Sequence, residues 1–200
     1  MDSRSVLDVS SLPTVVFGKR SIMSWAMFGM MLIEGTMFGI VVATYFYLRT
    51  RVSNWPPIGY PPDLLYGSIN TGIFLVSLLP NLWISKIAKE GNLTKARIGI
   101  WIMTLIGIAN LIVRGYEFGH LNCHWDTNAY GSIVWMILGL HTTHLITDWY
   151  DTAVLLVLLY TGPIEGRTFM DVSENAEYWY FVVLTWLPIY FVLYFAPRLI

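Results

Sequence analysis

Long apolar runs, separated by short stretches rich in polar residues, Pro and Gly, set the pattern of the chain. Five runs can be drawn, from about Ser21 to Leu48, Tyr66 to Ile87, Ile98 to Phe118, Tyr130 to Tyr160 and Glu177 to Phe195. A hydrocarbon core of about 30 Å needs roughly 20 helical residues at 1.5 Å each, so each run is long enough to cross a bilayer. Period-two alternation is absent and the runs are too long for barrel strands, which leaves helices. The fourth run exceeds one span and must tilt or protrude.

The connections carry turn chemistry. RTRVSNWPPIGYPPD, after the first run, holds two Pro-Pro pairs that cannot continue a helix. Gly91-Asn92 breaks the pattern between the second and third runs, GHLNCHWDTNA joins the third to the fourth, and TGPIEGRTFMDVSENA joins the last two. Connections this short predict antiparallel neighbours and leave no room for a separate soluble domain. The expected fold is all-α: an N-terminal cytoplasmic segment over 1–20, then one five-helix transmembrane domain over 21–200, with helices at about 21–48, 66–87, 98–118, 130–160 and 177–195.

Composition agrees. The chain is 56% hydrophobic and 12% charged, against about 25% charged in ordinary soluble domains. A net charge of -1 and the lack of a large basic patch exclude a nucleic-acid partner. Cys123 is the single cysteine, which excludes an intrachain disulfide and a cysteine metal cage. Met1 to Lys19 lack the basic start and apolar core of a cleaved signal peptide, so the first helix is expected to act as its own insertion signal. Lys and Arg gather at the N-terminus and in the second and fourth connections (Arg4, Lys19, Arg20, Lys86, Lys89, Lys95, Arg97, Arg167), whereas the other side holds Arg49, Arg51 and Arg198. This bias predicts a cytoplasmic N-terminus and an outer C-terminus.

Charge inside the runs is where chemistry is sought. Glu34 is the only charged residue between Arg20 and Arg49. A carboxylate facing lipid at that depth costs about 2.5–3.5 kcal/mol, so Glu34 is expected to face protein or water, as a structural lock or a proton-handling group. Arg114, Glu117 and His120 recur at three-residue steps, which favours an Arg114–Glu117 pair within the third helix near its outer end. His141 and His144 share a face of the fourth helix with Asp148 and Asp151 nearby. The structural reading is a buried His pair bonded to carboxylates or backbone. The chemical readings are a metal held by two His or a di-iron centre using Glu117-x-x-His120, but the second Glu-x-x-His that a di-iron bundle needs is missing. Glu34 and Ile137/His141 should lie at similar depth, which predicts a contact between Glu34 and the fourth helix around His141. Gly35-x-x-x-Gly39 is a weak signal for close helix packing.

Several motifs in order resemble subunit III of the haem-copper cytochrome c oxidases. They are Glu34 with Phe38 and YFYLR, Asn54-Trp55-Pro56-Pro57, Asn70-Thr71 with Ser77, Glu117-Phe118, Tyr130-Gly131-Ser132, Gly139-Leu140-His141-Thr142-Thr143-His144, and Tyr178-Trp179 with Phe181-Val182 and Trp186. The resemblance spans nearly the whole chain after Ser21. It implies a five-helix form, lacking the first two helices of longer members. It also implies a non-catalytic subunit with no redox centre of its own, haem and copper lying in subunit I. Such a subunit stabilises subunit I, lies near subunit II, binds phospholipid and supports proton uptake. By the resemblance Glu34 is the family's carbodiimide-reactive buried carboxylate. Arg114, Glu117, His141, His144, Asp148, Trp55 and Trp179 are then candidates for a polar network or for lipid and partner contacts. The implied place is a membrane, foremost the bacterial inner membrane.

The chain also departs from the pattern. Arg114 stands where the family usually has Gln, Tyr180 replaces a His, Val183 an Asp and Asp148 a Gly. These changes put in doubt a polar network joining the last helix to its neighbours, and they leave open a nitric oxide reductase as host. A reading from another class is a membrane metalloenzyme using Glu34, Glu117, His120, His141 and His144.

Overall fold

A computed structural model describes residues 15–17, 20–57, 59–162 and 166–199. Five long helices form the body: α1 Ile22–Arg49, α2 Leu64–Glu90, α3 Leu93–Gly119, α4 Ala129–Thr161 and α5 Gly166–Tyr190. A π-helical turn, Phe191–Phe195, and a short α6, Ala196–Leu199, continue α5. Ahead of α1, β1 Val15–Phe17 pairs antiparallel with β2 Arg20–Ser21, a small feature the apolar pattern does not encode. Most of the expected cytoplasmic segment 1–20 lies outside the described residues.

Local chemistry sets the helix ends. Asp63, Asn92 and Asn128 each cap a helix, accepting from the backbone N–H of Leu65, Lys95 and Gly131. Each satisfies a donor that the first turn would leave unpaired. Gly91 closes α2 in the left-handed region at φ 67°, where a Cβ would be strained, and its N–H returns to the carbonyl of Ile87. The α2–α3 connection is therefore only Gly91-Asn92, and the two helices pack as a tight antiparallel pair.

Helix α5 starts at Gly166 rather than near Glu177. The expected boundary followed hydropathy, and the first turns of α5 are polar (Asp171, Ser173, Glu174, Asn175) without leaving the helix. Helices α1, α2, α3 and the stretch Phe169–Leu199 are long and apolar enough to cross a membrane. Helix α4 is not among them, although at 33 residues it is the longest. Its middle carries His, Thr and Asp, and α4 packs against α1, α3 and α5, burying His141, His144, Asp148 and Thr152. A helix shielded by neighbours on several sides does not need a lipid-compatible surface. By contrast, α1 buries only Phe38, Val41 and Tyr45 and exposes Phe28, Leu32, Ile33 and Ile40. The Gly35/Gly39 spacing does not seat a helix: a Cβ at Gly39 would meet nothing within 4 Å, and one at Gly35 only Phe181.

The end of α5 breaks regularity. Pro188 lacks an N–H, and the wider π turn follows directly. Val192, Leu193 and Tyr194 are consecutively buried, which a single face of a regular helix does not allow. Tyr194 is thereby turned inward against α2, where a Cβ on Gly67 would sit 2.6 Å from its ring. Only glycine admits that approach.

Candidate functional site

Two polar centres lie inside the bundle. The first is built on Arg114 and Glu117 of α3, 1% and 2% exposed, with Nη1 to Oε2 at 2.8 Å. Asn70 of α2 donates to the same carboxylate oxygen at 3.3 Å, and the Tyr194 hydroxyl donates to the other oxygen in a short bond. The second guanidinium nitrogen of Arg114 donates to Nδ1 of His141 at 3.3 Å. Nδ1 must then be the acceptor, so the proton of a neutral His141 ring sits on Nε2, which donates to the Val182 carbonyl at 3.0 Å. The guanidinium also lies over the Trp186 ring, 4.1 Å from its centroid, a cation–π contact strengthened by desolvation.

This centre joins α2, α3, α4, α5 and the π turn through one charge-balanced pair. The pair is buried among the helices and lies near the C-terminal end of α3. The last helix is also tied to its neighbours despite Tyr180 and Val183: Tyr194, Trp186 and the backbone of Val182 supply the links. Tyr194 was not legible as a partner from the sequence, because its approach depends on the π turn.

The second centre surrounds Glu34 on α1. Its side chain is 20% exposed; Oε2 accepts from the Tyr178 hydroxyl at 3.1 Å, and Oε1 lies 3.6 Å from Nε2 of His144. His144 Nδ1 is 2.7 Å from the Leu140 carbonyl, so Nδ1 donates there and Nε2 is left to face the carboxyl. Phe38 packs on the His144 ring at 4.9 Å between centroids. The expected contact of Glu34 with α4 exists, but one turn from the expected place, at His144 instead of His141. Residues three apart on a helix point about 60° apart, which sends His141 to α3 and His144 to α1.

Below Glu34 a cleft of about 450 Å³ opens between α1, α4 and α5. Glu34, Asp148, Asp151, Asp171 and Glu174 line it, with Tyr178, Thr147 and Asn175. Asp148 is 1% exposed, and neither of its oxygens has a hydrogen-bond partner.

The remaining candidates are structural in geometry. Trp179 is buried and donates to the Ser77 hydroxyl at 2.8 Å, tying α5 to α2. Trp55, in the first connection, packs edge-on against Tyr45 and Tyr130 at 5.2 and 4.9 Å. Glu34, Glu117, His120, His141 and His144 do not converge. Glu117 is held by Arg114, and His120 lies at the surface against Tyr66 and the Tyr116 carbonyl. Among the described residues no group of three metal-capable side chains forms. Cys123, in the connection before α4, is buried as a free thiol, and burial pushes its pKa up to about 11.

No family model matches the chain. Among curated proteins it is 26% identical over 171 residues to cytochrome c oxidase subunit 3 of Thermostichus vulcanus, covering 82% of this chain and 83% of the relative. It is 27% identical over 142 residues to cytochrome c oxidase subunit 3 of Oryctolagus cuniculus, covering 70% and 54%. Over 145 residues it is 26% identical to that of Drosophila melanogaster, covering 71% and 55%. The chain thus spans most of the first of these proteins and about half the length of the other two.

Proposed function

We propose that this chain, which fits as a divergent member of the cytochrome c oxidase subunit III family, is the non-catalytic subunit III of a respiratory haem-copper terminal oxidase. The observation that carries the reading is the match over 82% of the chain to a subunit 3 of similar length. The chain is an integral membrane protein with apolar helices that expose large hydrophobic side chains. Haem and copper belong to partner subunits. This chain packs beside subunit I, with subunit II in the same complex, and its lipid-facing surface takes phospholipid. The bias of Lys and Arg supports a cytoplasmic N-terminus and an outer C-terminus, and the membrane of this proposal is a bacterial inner membrane.

Within that role the two polar centres divide the work. The Arg114–Glu117 centre holds five helical segments in register through charge-assisted bonds. The Glu34–His144–Tyr178 group carries a carboxyl beside an imidazole at mid-bundle, a pairing suited to holding or passing a proton. That is the proton-related role proposed for Glu34.

The test is purification of the complex in mild detergent, followed by metal analysis and a visible spectrum. Co-purification with a partner containing haem and copper is the expected result. A partner with haem and non-haem iron instead would assign the chain to a nitric oxide reductase. Stoichiometric iron or a haem band on the chain stripped of partners would sink the accessory-subunit reading and revive the metalloenzyme.

A further inference from the structure

The acidic cleft beneath Glu34 is not explained by packing. Its carboxylates come from all three helices that form it: Glu34 from α1, Asp148 and Asp151 from α4, Asp171 and Glu174 from α5. No Lys or Arg lines it among the described residues. The recorded hydrogen bonds of its wall donors go elsewhere. Thr147 donates to the carbonyls of Thr143 and His144, the Asn175 amide donates to Thr152, and Tyr178 donates to Glu34. Asp148 therefore faces a cavity whose own walls offer its oxygens nothing.

A buried carboxyl in that position needs donors from outside the chain, at a cost of about 1–3 kcal/mol if none arrive. A metal ion fits poorly, since among the described residues the carboxylates do not gather into a ligating group. A lipid phosphate would enter among like charges. Water fits: a cavity of about 450 Å³ holds several molecules at about 30 Å³ each, and water both donates to Asp148 and conducts protons.

Exposure varies along the lining: Asp151 is exposed, Asp171 and Glu34 are half-buried, and Asp148 is buried. All belong to the half of the bundle that carries the α2–α3 and α4–α5 connections, the Lys- and Arg-rich side.

We propose that the α1–α4–α5 cleft is a water-filled proton inlet, in which Asp148 relays protons from Asp151 and Asp171 at the mouth to the Glu34–His144 pair. In each step the Asp148 carboxyl gives its proton through water to Glu34, and a proton from the mouth restores it, with no net change in Asp148. The inlet deepens the proton-related role proposed for Glu34 and rests on it.

The test is hydrogen–deuterium exchange of protonated carboxyl groups, read by infrared spectroscopy on the purified chain with whatever partners it retains. The Glu34 band is assigned by its loss in Glu34→Gln. In Asp148→Asn, which keeps the side-chain volume but cannot relay, exchange at Glu34 is expected to slow by about 10²-fold, the low end for loss of a positioned proton-transfer group. Asp148→Glu is expected to restore it. Asp151→Asn changes the exposed mouth, and severalfold slowing there is expected even if Asp148→Asn does not fold. Unchanged exchange in the folded variants overturns the inlet. The readout is internal to this chain, so failure to co-purify with a haem-copper partner would count against the oxidase reading without deciding this one.

Discussion

The two polar centres use the same residue types to opposite ends. Around Arg114 and Glu117 the charges are equal and opposite, nearly fully buried, and held by Asn70, Tyr194 and His141. Around Glu34 the described lining of the cleft holds carboxylates and no Lys or Arg, the space is open, and Asp148 has no hydrogen-bond partner. The contrast separates two reasons for placing ionisable groups in a membrane bundle. A closed, neutral network specifies packing, because removing any member leaves another group exposed to hydrocarbon. An open, unbalanced one gives up stability and gains exchange with protons and water.

The contrast is tested most severely by removing one member of the closed centre. Arg114→Met is expected to destabilise the folded chain by about 3–5 kcal/mol, because Glu117 stays buried without its cation. The double variant Arg114→Gln/Glu117→Gln should recover much of that loss, and detergent-denaturation midpoints over the full double-mutant cycle measure both. Independent, additive losses would show that the pair is not a unit. Tyr194→Phe removes one charged hydrogen bond, and a loss of about 1.5–3 kcal/mol is expected in the same assay.

The open centre should respond differently. Asp148→Leu deletes a buried acceptor that nothing in the chain satisfies, so it is expected to be neutral or to stabilise by up to about 2 kcal/mol. A clear loss of stability would mean that Asp148 has a structural partner. Glu34→Gln keeps volume and one acceptor and should change stability by less than about 1 kcal/mol. The smallest expected effect lies outside both centres. Cys123 stays a protonated thiol below about pH 11, so alkylation at neutral pH should be slow in the folded chain. It should rise as pH approaches that value, and at once on unfolding. Fast labelling of folded protein at neutral pH would contradict the burial of this connection.

Much of the architecture could be read from the sequence. The apolar runs located the five helices, and Gly91-Asn92 and the Pro-Pro pairs located their breaks. The polar start of α5 was missed because hydropathy ranks Asp171 to Asn175 as loop, whereas a helix at the membrane boundary tolerates them. In the candidate sites, the Arg114–Glu117 pair was legible because both residues sit on one helix at a fixed spacing. Glu34 was legible as an anomaly, though its partner was placed one turn away. Trp186 as the platform under Arg114, and Tyr194 and Tyr178 as carboxylate donors, were not legible.

By itself the sequence determined that this protein lives in a membrane, that its elements are helices, and that its few intramembrane charges must turn away from lipid. These follow from hydropathy and run length, which are properties of each segment alone. Only the tertiary structure decided which charge meets which. His141 and His144 are three residues apart and alike in sequence, yet one serves Arg114 and the other faces Glu34. Helix rotation and crossing choose between them, and those depend on every neighbour at once. The same packing brought Tyr194 to Glu117 through a π turn and left Asp148 facing the cleft.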